Sequence, residues 1–73
     1  MMNPTREGLW TLARKDELLH AELVVHGDEG TELELFRDGE SYFNRRYETR
    51  DQALEDAAWF RKDLEDDGWL SLK

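Results

Sequence analysis

His20, Glu22 and Glu34 are the residues whose types and spacing come nearest to metal chemistry. An extended chain puts residues i and i+2 on one face, so His20 and Glu22 project together. Glu34 falls beside Glu22 once the two segments pair as antiparallel strands. An imidazole and two carboxylates on one surface form a donor set for a divalent cation. Two carboxylates side by side otherwise repel by some tenths of a kcal/mol, unless an arginine or lysine neutralises them. A solvated face with such a basic partner is the simpler expectation, so no metal site and no cofactor is assigned. His26 falls at a turn, where an exposed histidine is ordinary.

A second chemistry is suggested by Arg45, Arg46 and Arg50, with Tyr42 and Tyr47 among them. Aromatic faces that stack bases and arginines that hold phosphates make a platform for single-stranded nucleic acid. The chain as a whole opposes it. Eighteen acidic residues against ten basic ones give a net charge of -8, which repels phosphate at long range. Tyr42, Arg45, Arg46 and Arg50 therefore stand as candidate nucleic-acid contacts that the overall charge disfavours. Ser41 and Ser71 have no histidine and acid at a triad spacing, and an enzyme is not expected.

These side chains need elements to position them. Residues 1–7 read as a flexible arm, and residues 8–73 as one domain. Leu9 to Arg14 reads as a strand with Trp10 and Leu12 on one face, and Lys15-Asp16 as a tight turn. In Glu17 to Val25 the residues Leu19, Ala21, Leu23 and Val25 alternate with His20, Glu22 and His26, the pattern of a half-buried strand. The two-residue turn sets Leu12 opposite Leu19 and Trp10 opposite Ala21. Gly27-Asp28-Glu29-Gly30 is a turn, and Thr31 to Phe36 a third strand with Leu33 and Leu35 inward. The Arg37-Asp38-Gly39 loop, taken as three residues, sets Leu33 opposite Phe43 in a fourth strand, Glu40 to Tyr47. Thr49-Arg50-Asp51-Gln52 matches a helix capping box. Ala53, Ala57, Phe60 and Leu64 follow at helical spacing, and Gly68-Trp69 closes the helix in a Schellman arrangement.

The fold class expected is α+β: a four-stranded antiparallel meander with one C-terminal helix packed on one face, ββββα. The sheet face away from the helix carries Leu9, Leu18, Val24, Phe36 and Tyr42 among His20, Glu22 and Glu34. Trp59 lies off the helix stripe, either under the tail residues Leu70 and Leu72, the simpler alternative, or free for a partner. His20, Glu22, Val24, Glu34, Phe36, Tyr42 and Trp59 are the candidate interaction surface. A short chain with no cysteine lacks a disulfide staple, which raises the expectation of a homodimer. No apolar run approaches the length of a membrane span, and no signal peptide is legible at the start, so a cytoplasmic location is expected.

Two resemblances accompany this pattern. Glu34-Leu35-Phe36-Arg37-Asp38-Gly39-Glu40, then Arg46 to Ala53, then Leu64-Glu65-Asp66-Asp67-Gly68-Trp69 resemble a group of short bacterial proteins. That group shares an "rDGe" hairpin, a polar helix start and a terminal "GW", and the resemblance implies structure and no activity. The ββββα order is also similar to one repeat of the PUR and Whirly folds, which implies single-strand binding on a curved sheet. The expected function is that of a small bacterial protein-interaction or regulatory domain, homodimeric and non-enzymatic, with possible protein partners. Single-stranded nucleic-acid binding is the alternative.

Overall fold

A computed structural model describes residues 4–72. The order is β1 (Thr5–Arg14), β2 (Glu17–Val25), a 3-10 turn (Gly27–Glu29), β3 (Thr31–Arg37), β4 (Glu40–Tyr47), α1 (Arg50–Asp66) and β5 (Leu70–Leu72). The strands form one antiparallel sheet in the order β4-β3-β2-β1-β5, with α1 lying across β2, β3 and β4. The ββββα core is as the alternation requires. Leu12 faces Leu19 and Trp10 faces Ala21, as the two-residue turn sets them. Leu12, Leu19, Leu23, Leu33 and Leu35 pack with Ala53 and Ala57 of the helix. The small alanines let the helix approach the sheet closely. The Trp10 indole then donates to the Ala57 carbonyl at 3.2 Å, a buried tie between β1 and α1.

Four features differ from the sequence expectation. The arm is shorter: Thr5, Arg6 and Glu7 belong to β1 and pair with Val25, Val24 and Leu23. Residues 1–3 of the expected arm lie outside the described residues. Leu9 is the extra residue of a bulge between Gly8 and Trp10, and it packs against the core instead of facing outward. The β3–β4 loop is a two-residue turn, Asp38-Gly39, with both φ angles positive (51° and 87°). Such a turn matches strand twist better than a longer loop. A bulge at Tyr42 then restores the apolar face, so Leu35 meets Phe43 and Leu33 meets Arg45. The fourth difference is β5, which pairs with Thr11–Ala13 along the outer side of β1.

The helix termini form as their sequences dictate. Thr49 Oγ1 accepts from the Gln52 amide at 3.2 Å, and Gln52 Oε1 accepts from the Thr49 amide at 3.3 Å. At the other end the Trp69 amide donates to Leu64 O at 3.0 Å and the Gly68 amide to Glu65 O at 3.1 Å, a Schellman motif with Gly68 at φ 102°. The motif buries Trp69 beside Leu64, and the Arg14 guanidinium lies 4.6 Å from the Trp69 ring centre.

Candidate functional site

The open face of the sheet carries a continuous polar chain across four strands. Thr11 Oγ1 lies 2.9 Å from His20 Nδ1, and His20 Nε2 lies 3.1 Å from Glu22 Oε2. A neutral imidazole that donates from Nε2 to Glu22 accepts at Nδ1 from the Thr11 hydroxyl. Arg6 Nη1 donates to both Glu22 Oε1 and Glu34 Oε1 at 3.0 Å, and Ser41 Oγ donates to Glu34 Oε2 at 2.7 Å. Glu22 and Glu34 are cross-strand partners, as the strand parity requires. The position between them, where a divalent cation would sit, is taken by Arg6. Its guanidinium settles the repulsion that two adjacent carboxylates create. The Ser41 hydrogen bond first, and then Arg6, hold the Glu34 carboxyl below its ordinary pKa against the effect of burial. The same two carboxylates hold the Arg6 guanidinium above its usual value. Among the described residues no group of three His, Asp or Glu side chains is arranged to hold a metal ion.

Beside this chain lies an apolar area. Residues directly opposite in antiparallel strands share a face. One cross-strand row runs Leu72, Thr11, His20, Phe36, Ser41, and the next runs Leu70, Ala13, Leu18. Leu18, Leu70, Leu72 and the bulge residue Tyr42 are all exposed, Leu70 by 71%. The Phe36 and His20 rings are 6.1 Å apart, and a shallow depression of about 340 Å³ lies over Leu18, His20 and Phe36. Burial raises the Tyr42 hydroxyl pKa, with Arg37 acting the other way. Of the residues expected on this face, His20, Glu22, Glu34, Phe36 and Tyr42 are brought together. Val24 is not available: it is 2% exposed, set in register between Arg6 and Glu32. The long stems of such residues cover a small neighbour readily.

Trp59 is on the other side of the molecule. It is 69% exposed and not packed under the tail, because Leu70 and Leu72 are committed to β5. A groove of about 500 Å³ runs between β4 and α1, lined by Arg45 and Tyr47 on the strand and by Asp56 and Trp59 on the helix. Tyr47 donates from its hydroxyl to Asp56 Oδ2 at 2.7 Å. Burial, then this hydrogen bond and the Asp56 charge, push its pKa up to about 12. Arg45 lies 5.3 Å from the Tyr47 ring centre and 3.9 Å from Asp56 Oδ2.

The basic-aromatic residues do not form one platform. Arg45 faces the helix side, opposite Leu33, and Arg46 faces the open side, opposite Glu32. Arg50 sits at the helix start and is bound to Glu7 at 2.7 Å, which raises its pKa.

Sequence reasoning missed Arg6, Leu70 and Leu72. A signal for Arg6 exists: the apolar alternation of β2 runs on to Val25, so Leu23–Val25 need a strand partner that precedes Gly8. For β5, Leu-Ser-Leu gives no such signal. None of the described helices is long and apolar enough to cross a membrane. Comparison with protein-family models, curated proteins and solved structures finds no match for this chain.

Proposed function

We propose that this domain is a protein-binding module whose contact surface is the apolar end of its open sheet face. One observation carries the proposal. Four of the large apolar side chains that solvent reaches, Leu18, Tyr42, Leu70 and Leu72, lie at the same end of one face, with Phe36 between them. Scattered exposed apolar residues are ordinary, but a contiguous group on an uncovered face marks a place where another surface docks. The network from Thr11 to Ser41 supports the assignment. Its hydrogen-bonded side chains rim the patch with fixed donors and acceptors, the anatomy of an apolar centre with a polar border. Glu22 and Glu34 are engaged with Arg6, and Glu34 with Ser41 as well, which suits a fixed polar border.

A photo-crosslinking amino acid placed at Leu18, in cells that express the full chain, tests the assignment. The expected result is a discrete adduct that disappears when Leu70→Lys is added and that is not formed from the same probe at Glu65. Adducts of equal yield from both positions would remove the patch as a binding surface.

A further inference from the structure

β4 ends the sheet. β5 covers the outer side of β1, but the strand order leaves β4 with β3 on one side and no strand on the other among the described residues. Its outward N–H and C=O groups are therefore open to another strand. Exposed edges in folded proteins are usually blunted by lysine, proline, other charges or a bulge. β4 contains no lysine or proline; it carries the bulge at Tyr42 and the charges Glu40 and Arg45, which admit only a strand of matching charge.

The charges along the strand indicate what completes it. β4 begins with Glu40 and carries Arg45 and Arg46 near its end. Run antiparallel to itself, the strand is its own electrostatic complement. We infer that β4 is the docking edge for a second copy of this chain, paired antiparallel about a twofold axis near Phe43, so that two sheets become one. Glu40 and Arg45 both lie on the helix side of the strand, opposite Arg37 and Leu33. Tyr42, already the odd residue in the ladder with β3, drops out of the new ladder in the same way. Arg45 of one copy then stands beside Glu40 of the other, twice by symmetry.

The groove between β4 and α1 favours this occupant over a partner of single charge sign. It presents Arg45 on one wall and Asp56 on the other, so a basic peptide meets the arginine and an acidic one meets the carboxylate. A second copy of the same edge brings both signs. The axis also brings the two Trp59 sides together next to Phe43 and Phe60, whose rings are in contact at 5.1 Å and only half-buried in the single chain. A strand of this length is about 27 Å long, so the contact runs along the whole edge and draws in the α1 side beside it. The inference extends the protein-binding reading and shares only Tyr42 with that patch; its exchanges at Glu40 and Arg45 lie outside the patch, so the two readings fail separately.

Sedimentation velocity on the full chain, up to about 1 mM, tests it together with Trp59 fluorescence. The expected species is a dimer. Glu40→Arg and Arg45→Glu each raise the dissociation constant by about tenfold or more, and the double exchange restores it to within about threefold. On dimerisation the emission shifts to the blue and iodide quenching falls; Trp59→Phe removes both changes, since Trp10 and Trp69 are buried already. A chain that stays monomeric throughout, a dimer indifferent to both single exchanges, or one broken by Leu70→Lys in their place would overturn the inference. Both exchanged residues are exposed, and an unchanged thermal melt separates lost association from lost folding.

Discussion

Single side chains on the open face are arranged so that each carboxylate has more than one donor. The chain from Thr11 through His20, Glu22, Arg6 and Glu34 to Ser41 is only partly shielded from water, so its worth in stability is small, some tenths of a kcal/mol per exposed pair. Its effect on protonation is more direct. Ser41 makes the largest contribution to the lowered Glu34 pKa. Ser41→Ala and Arg6→Gln are each expected to raise that pKa, measured by side-chain carboxyl NMR. Because the folded-state value lies below the unfolded one, the stabilisation from Glu34 is present above the ordinary carboxylate range and is lost as pH falls through the folded value. Tyr47 carries the opposite sign. Its phenol is held neutral to about 12, so its contribution is complete below the ordinary value of 10.0 and is lost as pH rises toward 12. Tyr47→Phe is expected to remove the later of two steps in a tyrosinate absorbance titration. Both phenols titrating together would count against the burial and the Asp56 hydrogen bond that hold Tyr47 apart.

At the level of elements, the turns and caps are where substitution separates sterics from propensity. Three of the four glycines with positive φ differ in what a side chain would meet. A Cβ on Gly39 or Gly68 would meet nothing within 4 Å, whereas one on Gly30 would lie 2.6 Å from the Tyr47 carbonyl oxygen. Gly39→Ala and Gly68→Ala are each expected to cost about 1 kcal/mol through backbone strain alone. Gly30→Ala adds a backbone collision and should cost about 2–4 kcal/mol. Thr49→Ala removes half of the capping box and should cost about 1 kcal/mol. Urea melts of the four variants give the order directly. These elements also show what a sequence can reveal. Thr49-Gln52 and Gly68-Trp69 are local signals with a mechanism, and both form as read. The bulges at Leu9 and Tyr42 are not local in that sense. An extra residue in a strand is dictated by what its neighbour strand needs; Gly8 flanks the first bulge, but no glycine marks the second. The parity of Glu22 and Glu34 was legible because β2 and β3 pair without interruption.

For the molecule as a whole, the core is one layer of side chains between sheet and helix. Leu33 is fully buried at its centre, while Phe60 is half-buried at its margin against Phe43. Leu33→Ala is expected to cost about 2–4 kcal/mol, a large share of the stability of a domain this size, and Phe60→Ala clearly less. Equal losses in chemical denaturation would mean that the helix margin is as well packed as its centre. Periodicity placed both residues on the inward stripe but could not rank them, because depth depends on how far the sheet extends past the helix. The same dependence hid one side of the candidate surface, although Leu18, Phe36 and Tyr42 were legible from alternation. β5 adds Leu70 and Leu72 to that apolar end, and three residues are too few for alternation to show.

β5 has one more consequence, in time. The hairpins β1–β2 and β3–β4 join residues close in sequence, but Leu70–Leu72 pair with Thr11–Ala13 across nearly the whole chain. Contacts that close so long a loop form late, after the rest of the sheet has restricted the search. The final strand should therefore dock last in refolding. In native-state hydrogen exchange, its amides should open well before those of β2 and β3.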